Sequence, residues 1–221
     1  MRFSDHLRIT ANHIWQAQHE HPFVRSIGDG TLDVERFSIW LRQDYLFLID
    51  YAKFFAVAVV RAPDLAAMTT FSRLLHEILH REMELHRSYC SEFGISPEEL
   101  EQSKKLPTTQ GYTDFLLRTG TTNNYIELLG ALLPCMWGYA ELGERLAKQG
   151  LPDDPRYRRW INVYADPEFA ELAEWCRRLV DDACHNISAD RVERVENAFL
   201  TSSRYELAFW DMAWKKEAWP V

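Results

Sequence analysis

The segment Ala131-Leu-Leu-Pro-Cys-Met-Trp-Gly-Tyr139 places a cysteine directly after a proline inside an apolar run. Residues 124–149 around it have helical periodicity, so Pro134 falls in a helix interior. Proline there lacks an N–H donor and crowds the carbonyl one turn earlier, which predicts a kink and freed backbone groups next to Cys135. Tyr139 follows Cys135 by four residues and shares its helix face. The alternative role for Cys135 is that of a small buried hydrophobic residue.

Helical periodicity also accounts for the rest of the chain. No segment alternates apolar and polar residues as a half-buried strand does, so we expect an all-α fold with residues 1–221 in a single domain. The predicted helices are 4–19, capped by Ser4 and ended by Pro22; 34–62, capped by Asp33 and ended by Pro63; 64–93, ended by Gly94; a short helix after Ser96; 109–119; 124–149; 157–164; 168–184; and 189–216, capped by Ser188.

Composition excludes several kinds of partner. The formal net charge of -8 argues against nonspecific binding to nucleic acid or to an anionic membrane, since both need a basic surface. The longest apolar run, 54–60, is too short to cross a bilayer, and the N-terminal residues lack the apolar core of a secretory signal. The four cysteines form no Cys-x-x-Cys pair. We therefore expect a cytoplasmic protein with reduced thiols and no membrane or nucleic-acid partner.

Two carboxylates interrupt apolar helix faces. Asp44 lies in the middle of the apolar face of residues 34–62, and Glu206 lies among Phe199, Phe209 and Trp210. Burying a carboxylate is costly unless it is paired, protonated or used. Pairing with Arg or Lys, capping of a neighbouring helix, or a position at the wet edge of the face are the structural alternatives.

A cysteine, two buried carboxyl groups and many tyrosines together favour acid–base and covalent chemistry on a flat ring. A nearby negative charge disfavours the thiolate, so Cys135 is expected to lose its proton during attack rather than before it. A buried carboxyl group is a suitable proton acceptor.

Four segments carry a resemblance to a known family. They are Trp40-Leu-Arg-Gln-Asp-Tyr-Leu-Phe47, Leu133-Pro-Cys-Met-Trp-Gly-Tyr139, Trp160-Ile-Asn-Val-Tyr-Ala165 and Ser203-Arg-Tyr-Glu-Leu-Ala-Phe-Trp-Asp-Met-Ala213. In this order they span most of the chain, and together the chain resembles the TenA/THI-4 proteins, thiaminase II or aminopyrimidine aminohydrolases.

The resemblance implies a heme-oxygenase-like helical bundle that forms a homotetramer and uses no metal or organic cofactor. It also implies hydrolysis of a small-molecule aminopyrimidine, 4-amino-5-aminomethyl-2-methylpyrimidine, to its 5-hydroxymethyl counterpart in thiamin salvage. Many such proteins cleave thiamin as well.

The resemblance also implies site residues. Cys135 would add to the ring beside a nitrogen that Glu206 protonates, and Asp44 would hold the 4-amino group and its neighbouring ring nitrogen. Cys135 puts the chain in the cysteine-bearing branch of the family. Further substrate-binding residues would be Phe47, Tyr51, Tyr112, Tyr139, Tyr164 and Phe209, with Tyr164 hydrogen-bonding near Glu206 or Cys135. Phe47 lacks the hydroxyl that a tyrosine would offer, so it can only stack. The helices carrying Cys135, Asp44 and Glu206 are expected to converge on one aromatic chamber.

Other functions fit parts of the sequence. His76 and His80 match the His-Glu-x-x-His zinc-protease pattern with His86 as third ligand, but Met83 stands where that class needs a glycine turn, and the histidines read as exposed helix residues. A di-iron oxidase would use the pairs Glu77/His80 and Asp181/His185 with Asp44. A protein that binds pyrimidines without catalysis is the third alternative.

Overall fold

The computed structural model describes residues 1–220, apart from the side chains of residues 81 and 85. This part of the chain is built of helices and their connections without a β-strand, which confirms the all-α prediction. The helices are α1 (Phe3–Thr10), α2 (Asn12–His19), α3 (Pro22–Gly28), α4 (Val34–Arg61), α5 (Leu65–Glu77), α6 (Met83–Glu92), α7 (Pro97–Gln102), α8 (Pro107–Thr122), α9 (Tyr125–Gln149), α10 (Pro155–Tyr164), α11 (Pro167–Ala183) and α12 (Ala189–Lys215), with a π-helical segment, Ile78–Glu82, between α5 and α6.

Several predicted helix boundaries are confirmed by their caps. Asp33 accepts a hydrogen bond from the backbone N–H of residue 35 at 2.7 Å and starts α4. Ser96 and Glu99 form a capping box at α7, and Gly94, with φ of 73°, lies in the left-handed region after α6. Pro134 lies inside α9, as expected.

The first predicted helix, 4–19, was wrong in three places. It is divided at Ala11 into α1 and α2. Ser4 does not cap it: α1 already begins at Phe3, and the Ser4 backbone N–H donates instead to Asp181 at 2.7 Å. Pro22 does not simply end a helix either, since it starts α3, where the His21 ring accepts a hydrogen bond from the N–H of Phe23. Proline suits the first turn of a helix, because the N–H that it lacks has no helical partner there.

The chain divides into two compact units. The first comprises Met1–Leu32 and Ile126–Trp210. Within it α1 packs against α11, where Arg2 pairs with Asp181 and with Glu174, both at 2.6 Å. The Trp15 indole donates to the Ser203 hydroxyl at 3.1 Å and joins α2 to α12.

The second unit comprises Asp33–Tyr125 and the segment from Asp211 onward. In it α4 packs against α5 and α8. The buried Gln43 amide donates to the Lys104 carbonyl and accepts from the Leu106 N–H, which fixes the start of α8. Glu217 accepts two hydrogen bonds from Thr108 in the first turn of α8, where a carboxylate is favoured by the helix dipole.

That residues 1–221 form one domain stays a prediction. Within residues 1–220, no helix combines the length and the apolar character needed to cross a bilayer.

Candidate active site

The helices α9 and α12 of the first unit approach closely at small residues. A Cβ atom on Gly130 would lie 2.9 Å from the carbonyl oxygen of Val195, so only glycine fits this approach without a shift. Next to it, the buried Ser202 hydroxyl donates to the Ala131 carbonyl at 2.7 Å. Further along, the rings of Tyr139 and Trp210 have centroids 5.4 Å apart. From one contact to the next, the residue numbers increase along both helices.

Cys135 and Glu206 occupy equivalent positions on this helix pair. Each follows the Ala131–Ser202 contact by four residues and precedes the Tyr139–Trp210 contact by four residues, about one helical turn in both cases. Glu206 is buried, with 3% of its surface exposed, whereas Cys135 is half-buried. The thiol and the carboxyl group are therefore carried at the same level of the pair.

An aromatic cluster lies about one helical turn beyond Cys135 and Glu206. Tyr139 contacts Tyr164 of α10 at a centroid distance of 4.8 Å, and Trp160 contacts both Tyr164 at 4.8 Å and Trp210 at 6.2 Å. Phe209 is buried beside Trp210 in α12. The structure thus brings together the predicted residues Tyr139 and Tyr164, and it adds Trp160 and Trp210, which lie in the sequence segments that carry the family resemblance.

Gly143 brings α10 against α9. A Cβ atom at this position would lie 2.4 Å from the carbonyl carbon of Tyr164 and 2.6 Å from its Cβ. Because glycine has no side chain, the end of α10 can pack directly on α9 and hold the Tyr164 ring against Tyr139.

In the second unit, Asp44, Phe47 and Tyr51 follow one face of α4 at helical spacing, and all three are buried. The ring of Phe47 lies 5.1 Å from that of Tyr51 and 5.1 Å from that of Tyr112 on α8. The predicted residues Phe47, Tyr51 and Tyr112 therefore form one aromatic surface, with Asp44 one turn before Phe47.

The surroundings of Asp44 were not anticipated. Its Oδ2 atom lies 3.7 Å from Nδ1 of His86, and its charge acts on the Cys90 thiol, whose pKa is raised to about 12, chiefly by burial. His86 is 11% exposed at its side chain and its Nε2 lies 2.9 Å from the Leu41 carbonyl. The expectation that it is an exposed helix histidine was wrong.

The residues of the metal alternatives have other partners. His76 and His80 are exposed and their rings lie 4.3 Å apart, while Asp181 is bound by Arg2 and Ser4. Across the described residues, no group of three or more His, Cys, Asp or Glu side chains is placed to hold a metal ion.

Comparison with known proteins assigns the chain to a family. A family model described as TENA/THI-4/PQQC matches residues 8–216. The chain belongs to this family. A relative from Halalkalibacterium halodurans, named aminopyrimidine aminohydrolase, is 43% identical over 99% of this chain and 98% of its own length. The resemblance to TenA/THI-4 proteins found in the sequence is therefore confirmed.

Solved structures of TENA/THI-4 proteins share the fold. A TenA homologue from P. horikoshii OT3 superposes with a TM-score of 0.90 at 31% identity, covering 97% of this chain and 99% of its own. A domain from Shewanella denitrificans described as having a heme oxygenase-like fold gives a TM-score of 0.76 at 19% identity over 96% of this chain and 92% of its own. The prediction of a heme-oxygenase-like helical bundle is confirmed.

Proposed function

We propose that this chain is an aminopyrimidine aminohydrolase of thiamin metabolism, which converts 4-amino-5-aminomethyl-2-methylpyrimidine and water to the 5-hydroxymethyl compound and ammonia. The observation that carries the proposal is the 43% identity to a relative of that name over nearly the full length of both chains. The equivalent positions of Cys135 and Glu206 between the same two contacts of α9 and α12 support a cysteine-dependent reaction.

The proposed reaction begins with addition of Cys135 to the ring. The sulfur attacks the ring carbon next to a nitrogen, and the nitrogen takes a proton from Glu206, so that no free negative charge forms on the ring. Burial of a carboxyl group favours its uncharged acid form, which is the form that can give this proton. The thiol proton leaves as the carbon–sulfur bond forms and goes to the departing amine.

Loss of aromaticity then allows the leaving group to depart. Electrons from the protonated ring nitrogen expel ammonia from the exocyclic methylene carbon. This carbon is then joined to the ring by a double bond. Water adds its hydroxyl group to this methylene, and the ring nitrogen returns its proton to Glu206. The carbon–sulfur bond breaks, and the sulfur takes the second proton of the water. The ring is aromatic again, Cys135 is restored, and the net change is exchange of an amine for a hydroxyl group.

Recognition of the ring is assigned to the remaining residues. Asp44 binds the 4-amino group and the neighbouring ring nitrogen, with Tyr51 beside it on α4. Aromatic rings stack on or border a flat heterocycle at centroid distances of several ångströms, which suits the clusters described above. The residues proposed for this role are Phe47, Tyr112, Tyr139 and Phe209, and Tyr164 is proposed to hydrogen-bond near the reacting groups.

Thiamin is the second substrate that we propose, together with a homotetrameric state, a role in thiamin salvage and a cytoplasmic location. The location is supported by the four cysteines, all of which are free thiols, since the cytoplasm keeps thiols reduced. Light scattering on the purified protein measures the number of chains, and a mass of one or two chains would rule out the tetramer.

The function is tested by offering the aminomethylpyrimidine and thiamin side by side and identifying the products by mass spectrometry. The hydroxymethylpyrimidine is the product expected from both compounds. Cys135→Ala is expected to lower turnover at least about a thousandfold while retaining pyrimidine binding. Binding without any product from the wild-type protein would identify a pyrimidine-binding protein instead, and full turnover by Cys135→Ala would remove the covalent mechanism.

A further inference from the structure

His86 of α6 has no role in the proposed reaction, yet it lies against Asp44. Its Nε2 is 2.9 Å from the Leu41 carbonyl. A carbonyl oxygen only accepts hydrogen bonds, so Nε2 must carry the hydrogen. In the neutral ring Nδ1 is then an acceptor, and this atom lies 3.7 Å from Oδ2 of Asp44. At this distance the two atoms are in contact without a hydrogen bond, which would form if they approached by a few tenths of an ångström.

The His86–Asp44 pair can hold no proton, one proton or two, and these states differ in free energy. With no proton shared, a carboxylate charge would face the lone pair of Nδ1 in a buried place. With two, an imidazolium would be buried beside a neutral acid. A single proton avoids both costs, since it gives either two neutral groups or an ion pair.

Titratable groups adjoin the pair on α4 and on the helical run of His86. From α4, Tyr45 places its ring 6.3 Å from that of His86, and its hydroxyl accepts a hydrogen bond from Arg87. On the helical run of His86 itself, Glu82 and Cys90 lie one turn to either side. Burial raises the pKa of the Cys90 thiol to about 12, so this group stays neutral. Burial lowers the pKa of His86 to about 4, which disfavours the imidazolium form of the ring.

An aminopyrimidine needs such a proton. Its 4-amino group donates hydrogen bonds, whereas the neighbouring ring nitrogen accepts one. A carboxylate offers only acceptors, but a carboxylic acid offers one acceptor and one donor and so matches both atoms. The proton state of Asp44 therefore decides whether it can bind this edge of the ring.

We propose that His86 is a positioning residue for Asp44: the two side chains hold one proton, and His86 leaves it on Asp44 when the carboxyl group binds the amino and ring nitrogens of the substrate. This inference rests on the proposed function, in which Asp44 recognises the aminopyrimidine. It makes His86 a determinant of substrate affinity that does not touch the reacting atoms.

The test separates the two nitrogens of His86. In His86→Gln the side-chain amide takes the place of Nε2 and can donate to the Leu41 carbonyl, but nothing replaces Nδ1. We expect KM for the aminomethylpyrimidine to rise at least about tenfold with kcat within about threefold of wild type. His80→Gln, an exposed histidine on the same helical run, is the matched control and should change neither constant. An unchanged KM in His86→Gln would overturn the proposal.

A double substitution gives a second, sharper readout. Asp44→Asn presents a carbonyl acceptor and an amide donor without needing a proton, as asparagine does when it binds adenine. In the Asp44→Asn background, His86→Gln is therefore expected to change KM less than about threefold. An equal KM increase in both backgrounds would show that His86 acts through general packing, and the positioning role would be rejected.

Failure of the proposed function can be told apart from failure of this inference. Absence of turnover by the wild-type protein and by His80→Gln would reject the function alone. The proton pair is then tested by NMR of protein labelled with ¹⁵N-histidine. The Nε2-protonated form of His86 is expected, with an Nδ1 signal that moves in Asp44→Asn. An Nδ1-protonated ring, or an Nδ1 signal indifferent to Asp44→Asn, would overturn the inference.

Discussion

Asp44 and Glu206 are both buried carboxyl groups, but their neighbours differ in kind. Glu206 lies between two contacts of α12 with α9, on a face shared with Ser202 and Trp210. Asp44 faces an imidazole ring and lies near a thiol. The first arrangement suits a group that gives and recovers a proton during reaction, and the second suits a group whose proton is set beforehand by a neighbour.

Removal of the Asp44 side chain is expected to weaken pyrimidine binding. Asp44→Ala removes the only carboxyl group proposed to face the 4-amino edge, so the dissociation constant of the hydroxymethylpyrimidine product should rise about 10- to 100-fold. Isothermal titration calorimetry measures this constant. Asp114→Asn, an exposed aspartate of α8, serves as the control. Wild-type affinity in Asp44→Ala would mean that Asp44 has no part in recognition.

Sequence reasoning succeeded for residues that break a pattern. Asp44 and Glu206 stood out because each interrupts an apolar helix face, and both are buried. His86 gave no such signal, since a histidine among polar helix residues looks exposed. Its partners, Leu41 and Asp44, are more than 40 residues away in the chain. Contacts of this kind depend on how α4 and α6 pack, which periodicity does not specify.

Helix ends were predictable where a side chain caps them. Asp33 and Ser96 were identified from their residue type and position, and the structure shows both accepting the expected backbone hydrogen bonds. The roles of Ser4 and Pro22 were predicted wrongly because each residue type has more than one role. Serine also bonds to distant partners, and proline both starts and ends helices. The close approach of α9 to α12 at Gly130 was not foreseen either, because a glycine inside a helix does not name the element that packs on it.

The packing of α10 on α9 is expected to depend on Gly143. In Gly143→Ala the new methyl group would meet the backbone of Tyr164 and Ala165, so α10 must shift and Tyr164 with it. We expect a loss of about 1–3 kcal/mol in the free energy of unfolding and a lower kcat. Chemical denaturation and steady-state kinetics measure the two effects.

Gly138→Ala is the matched control in the same helix. A Cβ atom there would lie 3.9 Å from the Trp15 ring, an ordinary contact. Because alanine favours the helix more than glycine does, stability should stay the same or rise by up to about 1 kcal/mol. Equal destabilisation by both substitutions would contradict the role given to Gly143.

For the molecule as a whole, buried titratable groups set how stability depends on pH. Below neutral pH these groups oppose one another. Burial lowers the pKa of His19, so the unfolded chain binds this histidine proton first, whereas desolvation raises the pKa of Glu82 to about 7, so the folded chain binds this carboxyl proton first. The His86–Asp44 pair holds one proton in the proposal above, as many as an unfolded histidine holds between about pH 6.5 and 4. The clear change in the free energy of unfolding is therefore expected on the alkaline side.

On the alkaline side, the buried thiols determine how the free energy of unfolding depends on pH. Burial raises the pKa values of Cys90, Cys176 and Cys184 from 9.0 to about 12. Between these values the unfolded chain has lost thiol protons that the folded chain keeps, so stability should fall as the pH rises above 9. Urea denaturation from about pH 7 to 11 is expected to show this fall above pH 9, and a stability independent of pH over that range would contradict the assignment to the buried thiols.

The π-helical segment Ile78–Glu82 changes the direction in which the side chains of α6 point relative to those of α5. A π turn holds an extra residue compared with an α turn, so side chains downstream are rotated by about 100° from where an unbroken α-helix would aim them. Loss of the π turn at unchanged chain length would swing the imidazole of His86 away from α4, whereas deletion of one residue from the segment together with the π turn would leave its direction unchanged. The direction of the His86 side chain therefore depends on a π turn in a stretch that makes no contact with substrate in the proposed mechanism.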